Sequence, residues 1–280
     1  METIISYFET ISSLHRSLIL AAGISFFWIL EGIIPLFNLK YEKGKHAAVN
    51  IFFTMTTILV NFPLAFLLLA SSDWTAIHEF GLLYWLPTLP LWVEVLVAVM
   101  FLDLLGAWLA HFVEHKISLL WGFHLVHHTD MEVDTTSANR HHPFESVVRF
   151  LFTCFAVLIV GAPVAYIMLY QGLSVVFSQF NHANIKLPKK IDSVLSWFIV
   201  SPDMHKVHHH HKLPYTDTNY GNIFSIWDRM FGTFSRMPNT AIVFGVDTYS
   251  DPKQNRSIKA LLCIPFNSYR KPDLSGVLKR

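Results

Sequence analysis

Charge is what this 280-residue chain has least of. Charged residues make up 15 % of it, against roughly 25 % in ordinary soluble domains. A surface so poor in charge cannot face water on every side, and the 52 % hydrophobic content and mean hydropathy of +0.40 agree. The same composition excludes intrinsic disorder, collagen-like repeats and a coiled coil. Neither sign of charge is in excess: 21 Lys and Arg against 20 Asp and Glu leave a formal net charge of +1, which excludes a basic nucleic-acid footprint. Two cysteines, Cys154 and Cys263, allow no disulfide framework and no C-x-x-C metal site. No G-x-G-x-x-G follows a strand and no cysteine cluster could hold an iron–sulfur centre, so the sequence shows no electron source of its own. Internal repeats and low-complexity linkers are missing too, and residues 1–280 read as a single membrane domain.

Long apolar runs are what the chain does have. A hydrocarbon core of ~30 Å takes about 20 mostly apolar residues in a helix. Residues 17–37, 47–70, 91–110 and 150–180 qualify, interrupted only by Glu31, Glu94 and Asp103. The first lacks the basic n-region and small-residue exit of a cleaved signal peptide. The last would be ~46 Å long as one helix at 1.5 Å per residue, and Gly161-Ala162-Pro163 breaks it near the middle. This predicts a helical hairpin that returns to its starting side, with a single kinked span as the alternative. The fold class expected is an all-α integral membrane protein of four to five transmembrane or re-entrant helices with a helical cap. Lys40, Lys43 and Lys45 in the first loop, and Lys186, Lys189 and Lys190 after the hairpin, predict that the cap is cytoplasmic, on a bacterial inner membrane or an ER-type membrane.

Histidine is the second abundance. Thirteen of the 16 lie between His111 and His211. His111 and His115 are four apart, and His124, His127 and His128 form H-x-x-H-H, as do His205, His208 and His209. The spacing reads as rings gathered on one helical face, three for each H-x-x-H-H, and imidazole is a ligand for Zn, Cu, Fe and Ni. Clusters on both sides of residues 150–180 can share metal only if that segment returns. His15, His46 and His78 lie outside the clusters and read as plain surface histidines.

Taken together, His111-Phe-Val-Glu-His115, His124-Leu-Val-His127-His128, Arg140-His141-His142-Pro143-Phe144-Glu145, Phe180-Asn-His182-Ala-Asn184 and Pro202-Asp-Met-His205-Lys-Val-His208-His209 resemble the fatty acid hydroxylase / sterol desaturase superfamily. The segments Thr218-Asn219-Tyr220-Gly221-Asn222 and Ile226-Trp227-Asp228-Arg229-Met230-Phe231-Gly232 are similar to the stretch after that family's last histidine box. The resemblance covers about residues 90–236. It implies a membrane oxidoreductase with two histidine-ligated irons that uses O₂ to hydroxylate or desaturate a fatty acyl, sterol-like or related lipid. Carried over by position, the metal ligands would be His111, His115, His124, His127, His128, His142, His182, His205, His208 and His209, with His141 a bystander. Phe112 stands where the family often has Arg, and His210 and His211 extend the last box beyond its pattern.

Hydrogen abstraction from an unactivated C–H bond needs an oxidant that no side chain supplies, and carboxylates that take the outer N–H of each ring would fix its tautomer. Asp103, Glu114 and Asp203 are the first candidates, with Asp130, Asp134, Glu145 and Asp228 also near in sequence. Asp103 lies eight residues before His111, two turns along the same helical side, where a buried carboxylate needs a partner such as a histidine N–H or a hydroxyl. Trp108, Trp121, Phe123 and Phe144 are candidates to line an acyl channel. Electrons would come from a separate reductase or small electron-transfer protein. The alternative function is a metal transporter or metal-binding protein, although transporters place polar ligands near the midplane. A zinc metalloprotease fails because Phe112 breaks H-E-x-x-H.

Overall fold

The computed structural model describes residues 1–267. After a short α1 (Glu2–Glu9), the Ser12 hydroxyl accepts the His15 backbone N–H at 3.2 Å and so starts α2 (Ser13–Ile33). The second long helix, α3 (Lys43–Ile77), has 35 residues and extends ~52 Å, more than the ~30 Å hydrocarbon core. A single turn, α4 (Leu82–Trp85), leads to α5 (Leu91–Asp103). That helix continues through a π-helical turn, Leu104–Trp108, into α6 (Leu109–Lys116), making one span of 26 residues. From it α7 (Ser118–His128) turns back.

Two helices occupy the uncharged run at 150–180: α8 (Pro143–Val160) and α9 (Val164–His182). Gly161 closes α8 in the left-handed region at φ +70°, and a Cβ there would stand 2.7 Å from the Phe80 carbonyl oxygen, so the turn requires glycine. Both arms pack on the α5–α6 span, which therefore lies between them. Their shared core joins Val99 and Leu102 of α5 to Val157 of α8 and to Ile167 and Tyr170 of α9. Beyond the hairpin come α10 (Lys189–Leu195), α11 (Pro202–His208) and α12 (Ile226–Met230).

Among the described residues, four helices are long and apolar enough to cross a membrane: Ser13–Ile33, Lys43–Trp85, Leu91–Lys116 and Pro143–Val160. Three of them start before the apolar runs read from sequence, because caps and polar first turns carry those helices beyond their apolar stretches, and the remaining one starts with its run at Leu91. Phe62 and Phe66 of α3 are about three-quarters exposed, at 76 % and 73 %, as a lipid-facing surface requires.

Candidate metal centre

Each histidine box ends a helix, and the ends converge. His111 and His115 lie on α6, His124, His127 and His128 at the end of α7, His182 at the end of α9, and His205 and His208 on α11. Ser201 and Pro202 start α11: the Ser201 hydroxyl accepts the Met204 N–H at 3.3 Å, and proline fits a first turn that has no use for its missing N–H.

The nine rings sort into two buried groups. His111, His115, His124, His128 and His208 form one, and His127, His182, His205 and His209 the other, each with one nitrogen per residue within 4.8 Å of the rest. The H-x-x-H-H boxes do not keep three rings on one face, as their spacing suggests. Adjacent residues differ by ~100° around a helix, so His128 joins the first group and His127 the second, while His208 and His209 divide the same way. The groups touch where the His128 and His209 ring centroids are 4.9 Å apart.

Outer acceptors set five of the rings. His111 Nδ1 lies 2.9 Å from the Tyr220 carbonyl, His208 Nδ1 2.6 Å from the Thr218 carbonyl and His182 Nδ1 2.8 Å from the Ser178 carbonyl. His124 Nδ1 meets Glu145 Oε1 at 2.7 Å, and His115 Nδ1 meets Asp217 Oδ1 at 3.2 Å. A carbonyl or carboxylate only accepts, so each Nδ1 donates and each Nε2 keeps its lone pair for the interior. Burial, the largest cause, holds His124, His127, His128, His205 and His209 well below the ordinary imidazole pKa and brings His208 down to about 4. Neutral imidazole is the form that binds metal.

The donor set fits a metal. His115 Nε2, His208 Nε2 and both ring nitrogens of His128 are buried without a hydrogen-bond partner. In the second group, His182 Nε2 lies 3.1, 3.0 and 3.2 Å from the Nε2 atoms of His127, His205 and His209. No placement of hydrogens satisfies three such contacts on one nitrogen, whereas a shared cation satisfies all four lone pairs.

Residues 95–233 match the family model described as fatty acid hydroxylase. The chain belongs to the fatty acid hydroxylase / sterol desaturase superfamily. Among relatives of this hydroxylase family, the ornithine lipid hydroxylase of Rhizobium tropici is 23 % identical over 194 residues, 69 % of this chain and 56 % of that protein. The alkylglycerol monooxygenase of Caenorhabditis elegans is 26 % identical over 129 residues, 45 % of this chain and 24 % of its own length. Methylsterol monooxygenase 2-2 of Arabidopsis thaliana is 25 % identical over 229 residues, 79 % of this chain and 82 % of that protein. The chain thus spans only about half, or a quarter, of the first two relatives. No solved structure matches it.

Several sequence candidates lie elsewhere in the structure. His142 joins neither group: its Nδ1 accepts the Phe144 N–H at 3.2 Å and caps α8, because the proline after it opens that helix. His141, read as the bystander, sits with its ring 5.1 Å from that of His127. Asp103 touches no histidine. Its carboxylate accepts the Ile223 and Phe224 N–H groups at 3.2 and 3.1 Å and Trp227 Nε1 at 3.1 Å, because the Ile223–Trp227 segment lies against that turn of the helix and supplies the donors. Asp203 accepts from Asn239 Nδ2 at 3.2 Å. Glu114, by contrast, does stand at the site: its Oε2 lies 3.8 Å from His124 Nδ1 and 2.8 Å from Arg149 Nη2. Trp108, Trp121, Phe123 and Phe144 do not line the cavity that adjoins the histidines.

Sequence reasoning missed Glu145 as a leading candidate, and it misjudged His46. His46 is 6 % exposed, with Nε2 2.8 Å from Asp130 and Nδ1 3.1 Å from Asp134. Burial raises the Asp130 pKa, but His46 and Arg140 outweigh it and hold this carboxyl well below the usual range. The only hint in the sequence was the matched four-residue spacing of His46 with Asn50 and of Asp130 with Asp134. Phe112 stacks on Trp108, with centroids 5.3 Å apart, and His210 Nδ1 accepts the Val243 N–H at 3.2 Å, so both departures from the family pattern serve packing.

Proposed function

We propose that this chain is an O₂-dependent membrane lipid hydroxylase whose two histidine groups hold two irons. The observation that carries the reading is the division of nine buried rings into two adjoining groups, five of them with Nδ1 tied to outer acceptors so that Nε2 faces inward. A bound iron pair would activate O₂ for insertion into a C–H bond, and the overall change, RH + O₂ + 2e⁻ + 2H⁺ → ROH + H₂O, balances only with an outside electron donor. The protein's part is positional. Glu145 and Asp217 with the Tyr220, Ser178 and Thr218 carbonyls fix five imidazoles, and the packed helix ends exclude water from the oxidising site. Lys40, Lys43, Lys45, Lys186, Lys189 and Lys190 support a cytoplasmic histidine end, within reach of a separate reductase or electron-transfer protein. Residues 1–280 then act as one membrane unit.

The hydroxylases and monooxygenases among the relatives favour hydroxylation over metal transport. The test is expression under ¹⁸O₂ with lipid mass spectrometry, beside metal analysis of the purified protein. Two irons per chain and a lipid gaining one labelled oxygen are expected, and both lost in His128→Ala and His208→Ala. One metal per chain, or no lipid that depends on the intact boxes, would overturn the reading.

A further inference from the structure

A cavity of about 610 Å³ opens beside the histidines and runs the length of the bundle. At one end it is lined by His111, His127, His182 and His205, and at the other by Arg16 and Gln171. Its side walls are α2 and α3. α2 packs on α9 and α3 packs on α8, and the space left between α2 and α3 is the cavity itself, bordered by Ser17 and Leu20 on one side and by Asn61 and Ala65 on the other. That gap lies at the depth of the apolar runs, where the surrounding solvent is lipid rather than water.

The polar end is far from the histidines. Glu31 Oε1 accepts the Asn184 N–H at 2.8 Å, which fixes the level of α2 against the end of α9. Arg16 is about four turns from Glu31, ~22 Å along α2, and Gln171 is about three turns from His182, ~16 Å along α9. Arg16 Nη2 donates to Gln171 Oε1 at 3.4 Å, and Arg16 itself is exposed at the cavity mouth. Because α2 begins at Ser13, Arg16 lies in its first turn, at the end of the helix away from the histidines, while Gln171 stands ~15 Å from the Gly161 turn and meets it from α9. Glu9 borders the same rim, giving it one charge of each sign.

We infer that a zwitterionic phospholipid enters sideways between α2 and α3, seats its phosphate on Arg16 and its ammonium by Glu9, and presents a carbon far along its acyl chain to the histidines. The depth decides the regiochemistry: a path of ~16–22 Å uses at least half of the ~30 Å hydrocarbon core, the share of one leaflet's chains. A lipid headed at Arg16 therefore cannot bring its own headgroup to the site. The inference deepens the lipid-oxidising reading of the centre and rests on it for the chemistry alone.

The test reads the lipid path whether or not oxidation occurs. The full-length protein is reconstituted in phosphatidylcholine vesicles doped with phosphatidylethanolamine carrying a diazirine, in one probe at the acyl terminus and in another next to the glycerol. Light should attach the terminal probe beside Ala107 and Ser178, which line the histidine half, and the glycerol-proximal probe beside Arg16 and Asn61. Ala65→Trp and, on the exposed face of α2, Ser17→Trp should lose the deep label while keeping their metal content, and Arg16→Glu should lose both labels. A reversed pattern, with the glycerol-proximal probe at the histidine end, would overturn the seating. Undiminished deep labelling in both Trp variants would overturn the sideways path. Correct labelling without any oxidised lipid would instead count against the proposed reaction and leave the path standing.

Discussion

His124 and Glu145 meet at 2.7 Å, joining the end of α7 to the first turn of α8, and Arg149 Nε holds the same carboxylate oxygen at 3.1 Å. The histidine is thus oriented by a side chain that is itself fixed one helical turn away.

Glu145→Ala should leave His124 free to rotate and to change tautomer. The expected cost is about 10–100-fold in metal affinity, with Glu145→Gln intermediate because its amide oxygen can still accept the Nδ1–H. Competition with a calibrated chelator measures it, and wild-type affinity in Glu145→Ala would refute the orienting role.

His142 and His141 offer a contrast between neighbours. His142→Ala should lose a helix cap, about 1 kcal/mol of stability, and keep its metals. His141→Ala, next to His127, should disturb the second histidine group more than the fold. Metal content and thermal midpoint, measured side by side, separate the two, and metal loss in His142→Ala alone would reverse the assignment.

His46→Ala should destabilise the protein by about 3 kcal/mol, since it leaves the Asp130 and Asp134 carboxylates buried without their shared partner. Chemical denaturation in detergent would show it, and a change within error would place His46 back among the surface histidines.

Helix positions and the order of the boxes were legible in the sequence because apolar runs and imidazole spacing are local properties. The role of His46 was not, since its partner Asp130 is 84 residues away. Nor were the partners of Asp103, about 120 residues away. The division of each H-x-x-H-H between two groups depends on which rings face it from other helices, and no spacing within one box reveals that.

Acid should unfold the metal-free protein by a predictable route. His208 has a folded pKa of about 4 against an ordinary value of 6.5, so between those values the unfolded chain takes up a proton that the folded one refuses. Stability is then fully present above pH 6.5 and falls as the pH drops toward about 4, and His124, His127, His128, His205 and His209 act with the same sign. Bound metal should delay the loss by competing with protons for the same nitrogens. A thermal midpoint of the metal-free protein that stays constant from neutral pH to about pH 5 would contradict the burial of these rings.

The π-turn at Leu104–Trp108 lets one helix keep two phases. Before it, the winding points Asp103 at the amides of Ile223 and Phe224; beyond it, the winding points His111 at the Tyr220 carbonyl. Wound as ordinary helix, the same residues would turn by ~100° each instead of the roughly 80° of the wider turn, and would swing one anchor by roughly 90° relative to the other, even though no anchoring residue had changed. Between these two points the chain is therefore constrained in winding more than in identity: the half-buried Leu104 and Leu105 can be exchanged for other apolar residues as long as the wide turn is kept.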